Sequence, residues 1–308
     1  MAEAQQSVYG ALEAGGTKFV CAIGNAQGAL LEEARLPTRD PDATLRASCD
    51  FFRAGFARHG APCALGVASF GPVHLDPAHP FYGHIARTPK PGWSHVDMAG
   101  TLQREFGCPV GFDTDVNAAA LAEHRWGAAR DVQDLVYLTV GTGIGGGVIA
   151  GGKAVHGLLH PEIGHIRPRR HAADRLAGVC PFHGDCLEGL AAGPAIVARC
   201  GAELGALADD HVQWQIEADY LAQLCATLVL TVSPRRIVLG GGVMAQERLF
   251  APMRARLLTW LGGYIDRAEI TEHVDQYLVP PGLGARAGVL GALSLAIAAA
   301  AVAQRQRL

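Results

Sequence analysis

Two thiols and an imidazole at two-residue gaps, in Cys180-Pro-Phe-His183-Gly-Asp-Cys186, can converge on one ion from a single tight turn. Thiolate sulfur and imidazole nitrogen are donors that suit zinc, and a fourth ligand would close a tetrahedral shell. His165, in Pro161-Glu-Ile-Gly-His165, is the preferred fourth ligand, with His156, His160 and His171 as rivals. The alternative is a loop in which these residues are scattered without a metal, and the regular spacing argues against it. Glu162 and Glu188 flank the outermost ligands, so a metal here would pin two carboxylates in place.

A second constellation is Phe112-Asp113-Thr-Asp115-Val-Asn117-Ala-Ala-Ala-Leu-Ala-Glu123. A strand end passes through two acids into an alanine-rich helix, with Gly127 as a C-cap. Asp115 is then either a helix N-cap or first-turn acid, or a carboxylate poised to take a proton from a hydroxyl. Three glycine turns complete the inventory: Gly15-Gly16-Thr17, Gly141-Thr142-Gly143 and Gly240-Gly241-Gly242. Glycines let main-chain N–H groups approach phosphate oxygens closely, and the threonines add hydroxyl donors. Gly141 to Gly146 formally matches G-x-G-x-x-G, but that fingerprint needs a helix directly afterwards. Val148 to Lys153 reads instead as a strand entering another turn, which argues against a dinucleotide site. No Gly-Lys-Ser/Thr tripeptide occurs, which excludes a P-loop.

The elements that must position these residues repeat. Tyr9–Glu13 reads as a strand, then the turn at Gly15, then a strand over Lys18–Ile23. The outline recurs as Leu135–Val140, the turn at Gly141, and Ile144–Ile149. Helices are expected at Ala43–His59, Met98–Phe106, Asn117–Trp126 and Ile216–Thr231, and strands at Ala64–Ala68 and Arg236–Leu239. The result is an α/β chain of two similar lobes, with a ligand expected in the cleft between them.

Composition narrows the function classes. At 308 residues the chain is long enough for two cores, and 49% hydrophobic against 18% charged residues argues against disorder. A formal charge of -3 and no long basic run argue against a nucleic-acid partner. Arg167, Arg169 and Arg170 read as a solvated loop. Met1 to Ser7 carries no export signal, so reduced thiols and a cytoplasmic setting are expected. Cys21, Cys49, Cys63, Cys108, Cys200 and Cys225 read as packing residues. Ala287 to Ala303 is read as a buried terminal helix rather than a membrane span.

The turn Gly15-Gly-Thr17, Asp115-Val-Asn117-Ala, Glu162-Ile-Gly-His165 and Cys186-Leu-Glu188 resemble the ROK family of sugar kinases and sugar-responsive repressors. The resemblance runs from Gly10 to about Leu293. It is nearest to the bacterial fructokinases, through Glu13-Ala-Gly-Gly-Thr-Lys18, Thr88-Pro-Lys-Pro-Gly-Trp93 and the Cys180–Cys186 loop. Glu13 stands where the wider family usually has Asp, and Cys180 with His183 where it usually has Cys-x-Cys; the fructokinase branch shares both departures.

The resemblance implies a two-lobed actin/hexokinase-like (ribonuclease H-like) fold with a small zinc-binding loop over 160–190. One lobe would comprise 1–116, completed by the helix at 285–308, and the other 117–284. It implies a hexose kinase that uses ATP and magnesium, with a structural zinc held by His165, Cys180, His183 and Cys186. Asp115 matches the catalytic base. Asn117, Glu162, His165 and Glu188 match sugar ligands, His165 giving one ring nitrogen to zinc and one to sugar. Gly15, Gly16, Thr17, Lys18, Gly141, Thr142 and Gly143 match the phosphate side of an ATP site, and Gly240, Gly241 and Gly242 the adenosine side. A homodimer is usual for such proteins. A glucokinase or N-acetylmannosamine kinase is the runner-up. A repressor would need a winged-helix domain ahead of the first strand near Tyr9, where this sequence leaves no room, and a non-catalytic sugar-binding protein is the remaining alternative.

Overall fold

Val8–Ala14 and Lys18–Asn25 are apolar runs joined at Gly15. They form the antiparallel hairpin β1–β2 in the computed structural model, which describes residues 7–306. Leu30–Pro37 (β3) continues antiparallel on β2, Pro62–Ser69 (β4) runs parallel to β1, and Val110–Thr114 (β5) parallel to β4. The sheet order is β3-β2-β1-β4-β5. The second hairpin is β6 (Leu135–Val140) with β7 (Ile144–Ala150), followed by β8 (Lys153–Ala154). Arg236–Gly240 (β9) pairs parallel to β6, and Leu278–Val279 (β10) parallel to β9. The second sheet therefore reads β8-β7-β6-β9-β10, the same topology as the first. The sequence repeat is a structural repeat.

The chain divides into two units. One holds the first sheet: the described residues up to Trp126, Ala154–His160 and the described residues from Ala285. The other holds the second sheet, Gly127–Lys153 and Pro161–Gly284. The boundary falls at Trp126 rather than at 116. The first unit carries helices α1 (Pro41–His59), α2 (Met98–Phe106), α3 (Asp115–Trp126) and the C-terminal helix Ala287–Arg305. Asp40 caps α1, its carboxylate accepting from Ala43 N, and Asp97 caps α2 by accepting from Gly100 N.

The C-terminal helix is long and apolar enough to cross a membrane by length and composition. Its packing shows what the apolar surface is for. A Cβ on Gly66 would lie 1.9 Å from Ala292 O, and one on Gly111 2.4 Å from Leu295 O. Glycine on β4 and β5 thus lets the helix backbone lie against the sheet. A Cβ on Gly291 would lie 2.3 Å from Ala118 O, so α3 meets the same helix closely, which is why α3 belongs to the first unit.

The second unit carries α4 (Leu187–Ala191), α5 (Gly193–Cys200), α6 (Gln213–Thr231), α7 (Phe250–Leu261), α8 (Ala268–Thr271) and α9 (Val274–Tyr277). α6 is its central helix and buries an acid. Glu217 is 0% exposed; Gln213 Nε2 donates to its Oε2 at 3.2 Å, while Oε1 has no partner. Burial raises this carboxyl well above its ordinary value, against the pull of Arg199 and the Gln213 bond. With the folded value raised, stability is full below the unfolded pKa and falls as pH rises through the folded one. Glu217→Gln is therefore expected to match wild type near pH 4 and to exceed it at alkaline pH, by on the order of 1–3 kcal/mol. Thermal unfolding across pH measures this, and a pH-independent difference would contradict it.

Four of the cysteines read as packing residues, Cys21, Cys49, Cys108 and Cys225, are buried. Burial pushes the Cys21 and Cys225 thiols up to about 12. Cys63 is exposed and Cys200 half-buried, so these two do not serve the core in the same way. Cys63 sits at the start of β4, outside the run that turns inward.

Candidate active site and metal centre

In the first unit the acids stand at the junction of β5 and α3. Thr114 caps α3: its Oγ1 accepts from Asn117 N at 3.1 Å. Asp115 is the first helical residue and is half-buried, with Oδ1 accepting from Val116 N at 2.9 Å. The cap role belongs to Thr114, which leaves Asp115 at the helix start as an acid with a fixed backbone. Asp113 differs. It is 2% exposed, and its carboxylate accepts from Thr114 N and Asn117 Nδ2, both at 2.7 Å, and from His156 Nε2 at 2.9 Å. Asn117 is fully buried and holds Asp113 rather than facing solvent.

The turn Gly15-Gly16-Thr17 links β1 to β2. Gly15 N donates to Lys18 O at 3.0 Å, and Thr38 Oγ1 donates to Gly15 O at 2.8 Å. A Cβ on Gly15 would lie 2.7 Å from Lys18 O, so the turn requires glycine there. Gly16, Thr17 and Lys18 are exposed. Lys90, inside Thr88-Pro-Lys-Pro-Gly-Trp93, donates from Nζ to Gly16 O, and Trp93 anchors that segment with Nε1 donating to Arg39 O at 3.1 Å. Glu13 packs under the C-terminal helix at Gly288. Burial raises its carboxyl, while Lys18 and Arg35 oppose the shift.

In the second unit the expected metal ligands meet. One donor atom from each of His165, Cys180, His183 and Cys186 lies within 4.8 Å of the others. His165 Nδ1 is 3.5 Å from Cys186 Sγ and 3.9 Å from Cys180 Sγ, and His183 Nδ1 is 3.7 Å from Cys180 Sγ. Zinc–ligand bonds of about 2.0 and 2.3 Å at a tetrahedral angle give S···N edges of about 3.5 Å, so the donor set fits that ion. The other histidines are placed elsewhere. His156 serves Asp113, His160 Nε2 accepts from Val73 N at 3.2 Å, and His171 Nδ1 accepts from Ala173 N at 3.2 Å.

Two carboxylates stand beside the cluster. Glu188, in the first turn of α4, accepts from Ile144 N at 3.0 Å. A Cβ on Gly143 would lie 2.7 Å from Glu188 Oε2, so glycine in that turn is what lets the carboxylate reach β7. Glu162 is exposed as a residue, yet its carboxyl is raised by the protein crowding it and by Glu188. Carboxylates in such positions can accept hydrogen bonds from hydroxyls.

The remaining glycine turns adjoin each other. Gly193 N donates to Gly141 O at 2.7 Å, and Gly241, at φ 94°, packs where a Cβ would lie 2.4 Å from Val140 O. Beside them opens a cavity of about 1060 Å³ lined by Gly141, Thr142, Pro194, Glu203, Gly242 and Gln246. Its size suits a nucleoside. The segment after Gly141-Thr-Gly143 is strand β7, not a helix, as the argument against a dinucleotide fingerprint required.

Sequence reasoning missed two supports of this region. Arg167 and Arg170 are not merely solvated: Arg167 pairs with Asp185 inside the metal-ligand loop, and Arg170 Nη2 lies 3.5 Å from the same carboxylate. Asp174, 0% exposed at its side chain, takes Arg199 Nε at 2.8 Å and the Tyr220 hydroxyl at 2.7 Å. Burial alone would raise Asp174, but those partners outweigh it and hold the acid below its ordinary value. Partners spaced 25 and 46 positions apart give no signal in a sequence.

A duplicated five-stranded mixed sheet, each with an antiparallel hairpin followed by parallel strands, is the actin/hexokinase-like fold. A solved structure of the ROK hexokinase from Thermus thermophilus aligns with a TM-score of 0.77 at 28% identity, covering 94% of this chain and 98% of that one. The sequence matches the ROK family over residues 9–299, and the chain belongs to that family. It is 44% identical over 298 residues to a fructokinase of Zymomonas mobilis, covering 96% of this chain and 98% of that protein. It is 43% identical over 292 residues to a fructokinase of Pediococcus pentosaceus, covering 95% and 98%.

Proposed function

We propose that this protein transfers the terminal phosphoryl group of ATP to a hexose, D-fructose at its 6-hydroxyl. The observation that carries the proposal is near-full-length identity of 43–44% to fructokinases. Phosphoryl transfer asks the protein mainly to position groups and neutralise charge. Asp115 takes the proton of the attacking hydroxyl, and its place at the helix start limits how far it can wander. Glu162, Glu188 and the Nε2 of His165 orient the other hydroxyls, because carboxylates accept directional hydrogen bonds. Asn117 acts on this site through Asp113. The turns at Gly15–Lys18, Gly141–Gly143 and Gly240–Gly242 hold the nucleotide, its base in the cavity beside Gln246. Magnesium, bound with ATP, supplies neutralising charge on the phosphates. Zinc on His165, Cys180, His183 and Cys186 fits the donor set and supplies rigidity, since four protein ligands leave no open position.

A coupled assay of ADP release over fructose, mannose, glucose and N-acetylmannosamine tests the substrate. Fructose is expected to give the highest kcat/KM. A value for glucose or N-acetylmannosamine more than about tenfold above it would overturn the assignment.

A further inference from the structure

Asp113 is too committed to act on a substrate. All its contacts place it as an orienting group: two N–H donors from its own helix start and one imidazole. A carboxylate that accepts at 2.9 Å from His156 requires the proton to sit on Nε2. That fixes the tautomer and leaves Nδ1 as the unprotonated nitrogen of the neutral ring. Nδ1 has no hydrogen-bond partner among the described residues, and the side chain is 40% exposed. The ring thus has one nitrogen anchored to a buried acid and the other open. Asn117, by contrast, has its Oδ1 buried and unpartnered. Asp113, Asp115, Asn117 and His156 all belong to the first unit.

We propose that His156 is a hexose ligand, its Nδ1 meeting a sugar hydroxyl while Asp113 holds the ring and Asn117 secures Asp113. The inference rests on the hexose kinase function proposed above. A hydroxylated neutral ligand suits this pair better than an anion, because Asp113 cancels the charge of an imidazolium. A metal is disfavoured, because the candidate metal cluster among the described residues lies at His165, Cys180, His183 and Cys186. Donating a hydrogen bond to Asp113 raises the ring's proton affinity, with burial opposing it. The charged group bearing on the ring is Asp113 on β5; Asn117 on α3 is neutral. The contact is charge-assisted while the imidazolium persists and weakens once it titrates.

The test is His156→Gln, with KM and kcat for fructose measured from about pH 6 to 9 beside wild type. At the acid end KM for fructose is expected to rise about 10- to 100-fold, with kcat changing less than about threefold. KM for ATP should not move, which separates a lost sugar contact from a damaged fold. In wild type, KM for fructose should climb as the pH passes through the histidine's pKa, and in the variant that rise should vanish. A fructose KM within about threefold of wild type, or the same KM–pH profile in both, would overturn the inference. Wild type that phosphorylates no hexose would overturn the proposed function, and the inference with it. Active wild type with an unaffected variant overturns the inference alone.

Discussion

Asp115→Asn is expected to lower turnover by about 10²- to 10⁴-fold, the usual range for removing a general base, while KM for the sugar changes little. The substitution keeps size and most hydrogen-bonding shape but removes the proton acceptor. The structure makes this a sharp test. Thr114 performs the capping of α3, so the variant does not lose the helix cap. Asp113 is not a reserve base, because its carboxylate is buried and already accepts from Thr114 N, Asn117 Nδ2 and His156 Nε2. Single-turnover and steady-state rates with fructose and ATP measure the effect. A fall of less than about tenfold would make Asp115 a first-turn acid and place the base elsewhere.

Cys180→Ser is expected to abolish stoichiometric zinc and to weaken sugar binding more than ATP binding. Structural zinc contributes on the order of 10 to 16 kcal/mol in small peptides. Ordering a loop costs roughly 1 to 2 kcal/mol per residue. From the sequence, the segment at 167–179 has little apolar surface to offset that cost. The structure supplies a second anchor, Asp174 with Arg199 and Tyr220, so this segment does not depend on the metal alone. The loss should therefore be local to the ligand loop and its neighbours, Glu162 and Glu188, and the protein should remain folded. Metal analysis of the purified protein, with sugar and nucleotide titrations of the variant, decides it. Fully active wild type holding well under one zinc per chain would refute the metal centre as a support of the sugar site.

Local pattern determined a great deal here. The hairpins at Gly15 and Gly141 were legible because apolar runs broken by glycine turns need no distant partner to be recognised. The Cys180–Cys186 spacing pointed to a metal because its ligands share one turn. α2 and β6 appear at the residues expected, Met98–Phe106 and Leu135–Val140. Edge strand β3 gave no clear alternation in its letters, although its residues alternate in burial.

What only the tertiary structure decided are choices among equals. Four histidines competed for one ligand position, and His165 joined the cysteines while His156, His160 and His171 found other partners. Two acids stood at one helix start, and burial against Asn117 and His156 separated Asp113 from Asp115. α3 went to the first unit because small residues at Ala118 and Gly291 let it meet the C-terminal helix. The residue types were visible in the chain, but their roles depended on which partners folding brought together, some of them 43 and 87 positions away, and a linear pattern carries no record of which side chains will come within hydrogen-bond reach.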